Sequence, residues 1–215
     1  MHIPADSIEL EGTLELPVGA PPGGVVLFAH GSGSSRLSPR NTSVARALRN
    51  KGLATLLFDL LTDDEARDRG NVFDVRLLAQ RLAAAAAWVR KHPAVKGLPI
   101  GYFGASTGAA AALIAGADDP DIAAIVSRGG RPDLARDALA RVQAPTLLIV
   151  GGDDHEMIRL NQLAFDRLRC EKALQIVEGA AHLFEEPGTL DEVVRLAGDW
   201  FLRHVSRGRF EATRR

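Results

Sequence analysis

Short, unbroken apolar runs alternate along this chain with longer stretches of helical spacing, and that alternation restricts the possible fold more than any other feature. Val25–Ala29, Ala54–Phe58, Ile100–Phe103, Ile122–Ser127 and Thr146–Val150 are the clearest runs. They are too continuously apolar for strands with one face in water, so they read as strands buried on both faces. Between and after them lie helical stretches at Thr42–Asn50, Val72–Lys91, Ser106–Ala117, Pro132–Arg141 and Glu156–Arg169, then a last strand at Ala173–Val177 and a closing helix at Leu190–His204. Gly52 and Pro93 are placed to stop two of the helices. Buried strands separated by helices predict an α/β fold, a doubly wound and mostly parallel sheet with helices on both faces. Two regions depart from the pattern. Ile8–Leu16 alternates polar and apolar residues around Gly12 and predicts a hairpin at the sheet edge, and Asp59–Gly70 predicts a charged loop.

No repeat or low-complexity linker divides the 215 residues, so residues 1–206 are expected to form one domain and 207–215 a disordered basic tail. Lys and Arg total 26 against 27 Asp and Glu, a balance that carries no nucleic-acid footprint. The single cysteine, Cys170, has no partner in the chain for a disulfide or a zinc pair, and neither metal nor cofactor is expected. The N-terminus lacks the charge and apolar pattern of a secretory signal. The Ala-rich stretches Leu82–Val89 and Ala109–Ala117 fall short of the ~20 residues of a membrane span. The expectation is a soluble, cytoplasmic domain acting on a small molecule.

Ligands of an open parallel sheet sit at the carboxyl ends of its strands, and four strand exits have unusual content. After Ile100–Phe103 the chain reads Gly104-Ala105-Ser106-Thr107-Gly108, a G-x-S-x-G turn between a predicted strand and a predicted helix. Glycines there let the strand and helix backbones approach closely. The helix N-terminus favours negative charge developing beside the serine. The competing role for Ser106 is a helix N-cap. A serine hydroxyl needs a base, and His182 lies in the exit of the last strand, within Gly179–Phe184. The base needs a carboxylate to fix its tautomer, and Gly151-Gly152-Asp153-Asp154 offers two candidates that spacing does not separate. The order Ser, Asp, His is that of α/β-hydrolases. The fourth exit, His30-Gly31-Ser32-Gly33-Ser34-Ser35, suits an oxyanion loop. Its donors are expected to be the N–H groups of Ser32 and Thr107. A dinucleotide fingerprint would need Gly where Arg36 stands, and no P-loop lysine is present.

On the stretches His30–Asn41, Gly101–Gly108, Ser127–Pro132, Pro145–Asp154 and His182–Gly188, the chain resembles the dienelactone hydrolase-like branch of the α/β-hydrolase superfamily from Val25 to about Phe201. The resemblance implies Asp154 rather than Asp153 as the acid. Dienelactone hydrolases carry a Cys nucleophile where this chain has Ser106, and the acidic residue of their early loop has no match at His30-Gly31. A general serine carboxylesterase is therefore the expectation, with lactonase, dienelactone-type hydrolase or thioesterase as alternatives sharing the triad. A non-catalytic small-ligand binding module is the rival from another class.

Only Arg128–Pro145 separates the strands Ile122–Ser127 and Thr146–Val150, room for one helix and no cap domain. An open, shallow site for short acyl groups follows. Arg36, Arg40, Arg128 and Arg131 lie in loops at the same end of the sheet, with Arg36 and Arg128 the candidates to hold a substrate carboxylate. The competing expectation pairs these arginines with Asp59, Asp63, Glu185 or Glu186.

Overall fold

The unbroken apolar runs form the interior of an eight-stranded sheet in the computed structural model, which describes residues 1–212. The strands are β1 (His2–Ala5), β2 (Ile8–Glu15), β3 (Val25–Ala29), β4 (Ala54–Phe58), β5 (Ile100–Ala105), β6 (Ile122–Arg128), β7 (Thr146–Gly151) and β8 (Lys172–Val177), in spatial order β1-β2-β4-β3-β5-β6-β7-β8. From β4 to β8 every pairing is parallel; β1 and β2 add an antiparallel edge. Every residue of β3, β4, β5 and β7 is buried, which is why these segments show no alternation in sequence.

Helices cover both faces. On one lie α1 (Pro39–Asn50) and α6 (Thr189–Ala212), which pack Val44, Leu48, Val193, Ala197 and Phe201 against Val26, Phe28, Phe103 and Val126. On the other lie α2 (Arg69–Phe73), α3 (Val75–Val89), α4 (Thr107–Ala117) and α5 (His155–Arg167), with Leu82, Ala85, Leu113 and Leu168 against Leu27, Leu56, Tyr102 and Ile125. Each such buried Leu, Val or Phe contributes about 1.5–3 kcal/mol relative to leaving it exposed. Between β6 and β7 stands only a 3-10 stretch, Pro132–Arg141, kinked at Arg136 (φ 49°, ψ −118°), so no cap domain covers the sheet's carboxyl end.

Three local expectations are corrected. The edge hairpin turns not at Gly12 but at Asp6-Ser7, where Asp6 takes a positive φ of 54°. Gly12 lies inside β2 because a β-carbon there would meet Ile3 Cδ1 at 2.8 Å and Phe58 Cβ at 3.2 Å. The predicted helix Val72–Lys91 breaks at Asp74, whose carboxylate accepts the N–H groups of Arg76 (3.0 Å) and Leu77 (3.1 Å) and so starts α3 afresh. The segment Asp59–Gly70 is not all loop. It holds a 3-10 turn at Glu65–Arg67, and buried Arg81 ties that turn to the edge hairpin by donating to Glu65 Oε1 (2.8 Å) and the Ala5 carbonyl (3.1 Å). The closing helix runs past His204 to Ala212 through part of the expected tail; residues 213–215 lie outside the described residues. No described helix is long and apolar enough to cross a membrane.

Candidate active site

The turn from β5 into α4 is as tight as its glycines suggest. Ser106 takes φ 50°, ψ −122°, a conformation rare for a residue with a side chain and costing about 1–3 kcal/mol. It is held there from both sides of its peptide. Its N–H donates to the Arg128 carbonyl (3.4 Å), and its own carbonyl accepts from Ala109 N (3.1 Å) and Arg131 N (3.0 Å). A β-carbon on Gly104 would lie 2.5 Å from Ala109 Cα, and one on Gly108 would overlap the carbonyl oxygens of Ala29 and His30. Both positions therefore accept only glycine at this spacing. The Ser106 side chain makes no capping hydrogen bond to α4. Its strained conformation presents the hydroxyl at the helix N-terminus instead of spending it on the backbone.

The exits of β7 and β8 bring a carboxylate to a histidine. Asp154, the residue before α5, accepts a 2.6 Å hydrogen bond from Nδ1 of His182, in the loop between β8 and α6. Asp154 makes no capping bond to α5, and its side chain is largely enclosed, while that of His182 is 40% exposed. Donation from Nδ1 leaves Nε2 with its lone pair, the form a general base needs. Asp153, the other carboxylate of the turn, is exposed, and its N–H donates to the Ala180 carbonyl (3.0 Å). The elbow and the histidine loop meet at Gly129, just beyond the carbonyl that holds Ser106. A β-carbon on Gly129 would lie 2.9 Å from the His182 carbonyl oxygen and 3.8 Å from His182 Cε1.

The loop His30–Pro39 closes the site from the third side. Gly31 lies against Ser106, since a β-carbon there would stand 2.8 Å from Ser106 Cβ. Ser32 N–H, an expected oxyanion donor, donates at 3.0 Å to the hydroxyl of Thr107, which is almost fully buried. The two residues expected to share the oxyanion are thus linked before any substrate arrives. His30 anchors the loop: Nδ1 bonds its neighbour's carbonyl on Gly31 (3.0 Å) and Nε2 accepts Leu60 N–H (3.1 Å). Burial lowers its pKa, although the Gly31 hydrogen bond and the charge of Asp59 pull the other way, so the imidazole is held neutral.

The loop arginines separate into two kinds. Arg36, expected as a substrate-binding residue, has its guanidinium taken by Asp59 (2.6 Å) and Glu11, and its N–H also donates to Asp59 (2.7 Å). It ties the His30–Pro39 loop to β2 and to the exit of β4 and has no charge left to offer. Arg131 makes a two-pronged pair with Asp133 (2.9 and 2.8 Å). Arg40 pairs with the exposed Glu185 (2.8 Å). Arg128 is buried at the end of β6 and donates to Asn41 Oδ1 (3.1 Å). Sequence reasoning passed over Asn41 and treated Asp59 only as a possible ion-pair partner. Asp59 stands directly after β4, and strand exits mark the site in such a sheet, so its position was a usable signal; Asn41 carried none. Among the described residues, no group of three or more His, Cys, Asp or Glu is placed to hold a metal ion.

Comparison with known proteins agrees with the fold. A family model described as an alpha/beta hydrolase domain matches residues 22–194. The crystal structure of a dienelactone hydrolase from Anabaena variabilis superposes with a TM-score of 0.91 at 52% identity, over 95% of this chain and 96% of that one. An esterase domain from a Rhodothermus marinus protein superposes at 0.77 with 20% identity, over 95% and 98%, a likeness of fold alone. Two Mycobacterium tuberculosis proteins (strains CDC 1551 and H37Rv), provisionally named phosphoribosyl transferases, are 54% identical over 206 residues, 95% of this chain. The chain spans only 46% of the length of each of them. The chain belongs to the α/β-hydrolase family, on its dienelactone hydrolase-like branch.

Proposed function

We propose that the chain is a serine hydrolase that cleaves carboxylic esters of small soluble substrates through an acyl-enzyme on Ser106. The observation that carries this reading is the 2.6 Å hydrogen bond between His182 Nδ1 and Asp154, beside a serine whose hydroxyl does not cap its helix. His182 Nε2 takes the Ser106 proton as Oγ attacks the ester carbonyl. The oxyanion is received by Thr107 N–H and by Ser32 N–H, which turns to it from the Thr107 hydroxyl. His182 then protonates the leaving alcohol, and water activated by the same imidazole releases the acid. Asp154 stabilises the imidazolium at both stages. With only the stretch Pro132–Arg141 between β6 and β7, nothing resembling a lid is available to enclose a long acyl chain, so short acyl groups fit best. Lactones and thioesters would follow the same steps and differ only in the leaving group.

The name of the M. tuberculosis relatives does not alter this reading. This chain matches less than half of each, so their name does not assign a transferase activity to the part matched here. A test is turnover of short-chain 4-nitrophenyl esters, a lactone and an acyl thioester by the wild type and by Ser106→Ala and His182→Ala. Hydrolysis of at least one class, abolished in both variants, is expected. Activity that survives Ser106→Ala would end the reading, and no turnover of any class would favour a binding module on the same fold.

A further inference from the structure

The loop that follows β6 grips the turn at Ser106, and one buried side chain of α5 grips that loop. Asn161 is fully enclosed, about two turns along the helix that begins after Asp154. Its Nδ2 donates to the Gly130 carbonyl (3.0 Å) and to the Met157 carbonyl of its own helix (2.8 Å). Both partners can only accept, so the amide nitrogen must face them, and Oδ1 is left buried without a partner. An unpaired buried acceptor is destabilising, which sets Asn161 apart from an ordinary core residue. Gly130 has no slack on its other side: a β-carbon there would overlap Ser127 Oγ and lie 2.5 Å from Ala109 Cβ.

The carbonyl that Asn161 holds belongs to the same peptide group as Arg131 N–H, which donates to the Ser106 carbonyl at 3.0 Å. The Ser106 carbonyl in turn shares its peptide group with Thr107 N–H, and it accepts a second bond from Ala109 N (3.1 Å). A trans peptide is planar with its C=O and N–H opposed, and the described residues contain no cis bond. Fixing each carbonyl therefore fixes the direction of the N–H across from it. Thr107 opens α4, so its N–H has no partner inside the helix and is free to meet a ligand. One continuous chain of bonds thus runs from Asn161 through the Gly130–Arg131 and Ser106–Thr107 peptides to that N–H. Each peptide accepts at one end and donates at the other, which polarises the next.

We propose that Asn161 is a positioning residue for the oxyanion: it aims and polarises Thr107 N–H toward the negative charge that develops when Ser106 attacks. This goes beyond the serine-hydrolase reading and rests on it. Asn161 touches no reacting atom and acts only through the two peptides. A group that sharpens a donor toward the transition-state oxygen raises kcat and leaves ground-state binding nearly alone. Its loss is felt most by a substrate whose reacting atom accepts that hydrogen bond well.

The test compares the 4-nitrophenyl ester that wild type turns over best with its thiono analogue, in which sulfur, a poor acceptor, replaces the carbonyl oxygen. Wild-type kcat/KM is expected to favour the oxygen ester by about tenfold or more. Asn161→Leu keeps the branched shape and removes the donor. It should lower kcat for the oxygen ester by roughly tenfold, part of the 10²–10³ that losing a whole oxyanion donor costs, with KM within about twofold. The thiono ester should slow much less, so the preference shrinks. Asn161→Asp is isosteric, and burial against two carbonyl oxygens raises its pKa. Protonated, it can donate to Gly130; ionised, it cannot. Its kcat relative to wild type should therefore fall as pH rises from about 5.5 to about 9. This variant carries the test if Asn161→Leu fails to fold, which circular dichroism reports. Unchanged kcat in folded Asn161→Leu, equal slowing of both esters, a wild type indifferent to sulfur, or a flat pH ratio for Asn161→Asp overturns the proposal and leaves ester hydrolysis standing. If no ester turns over but Ser106 reacts with a fluorophosphonate, the labelling rates of the same variants decide, because the phosphonyl oxygen needs the same donor. No turnover, with Ser106 also inert to the fluorophosphonate, brings down the serine-hydrolase reading and this inference with it.

Discussion

Asp154 and His182, 28 residues apart in sequence and on the exits of neighbouring strands, share a 2.6 Å hydrogen bond that fixes the imidazole with its proton on Nδ1. An amide in place of the carboxylate can present its N–H to the ring, hold the wrong tautomer and leave no base facing the serine. Asp154→Asn is therefore expected to lower kcat by roughly three to four orders of magnitude with a far smaller change in KM. Asp153→Asn, at the exposed neighbouring position, should stay within about threefold of wild type, a small change on the scale of ordinary surface substitutions. Steady-state kinetics of the two variants separates the roles, and equal losses would remove the distinction.

Thr107 holds Ser32 N–H through its hydroxyl, so the loop proposed to receive the oxyanion is set against the elbow before substrate arrives. Thr107→Val keeps the shape, removes the acceptor and is expected to lower kcat about tenfold, part of the 10²–10³ that losing a whole oxyanion donor costs. Thr107→Ser should recover most of the rate. Equal kcat for Val, Ser and Thr at this position would show that the link does no positioning.

Gly108 approaches the Ala29 and His30 carbonyls too closely for any β-carbon. Gly108→Ala must push backbone against backbone, at about 3 kcal/mol or more, which lowers Tm by roughly 6–12 °C in a chain of this size. Differential scanning calorimetry reads the shift; a Tm within 2 °C of wild type would mean the elbow is looser than its geometry implies.

His30 is held neutral, its pKa lowered from 6.5 by burial. The unfolded chain takes up a proton near pH 6.5 that the folded chain resists, so the unfolded state binds more protons below that pH. Stability linked to His30 is present in full above about pH 6.5 and is lost as pH falls from there toward the folded pKa. Urea midpoints measured from pH 7.5 to 5 should fall more steeply for the wild type than for His30→Asn. Parallel slopes would remove His30 as a source of the pH dependence.

The sheet interior was legible because burial on both faces leaves its mark on every residue of β3, β4, β5 and β7. The candidate residues Ser106, Asp154 and His182 could be picked out because each follows a strand that the apolar pattern locates. Gly12 was misread because a turn glycine and one facing Ile3 and Phe58 look alike until the partner strands are placed. Asp74 broke a continuous helical pattern through a cap whose strength depends on its backbone angles rather than its neighbours in sequence. The division of the arginines was beyond sequence reach for the same reason. Arg36 meets Asp59 across 23 residues and Arg128 meets Asn41 across 87, and no local spacing encodes which guanidinium meets a carboxylate and which an amide.

An activated serine at position 106 is tested most directly by exposing the folded chain to a fluorophosphonate, weighing the intact protein and mapping the modified peptide. A working triad predicts one adduct, on Ser106, that is lost in His182→Ala. No adduct on folded protein, or full labelling that persists in His182→Ala, would contradict it.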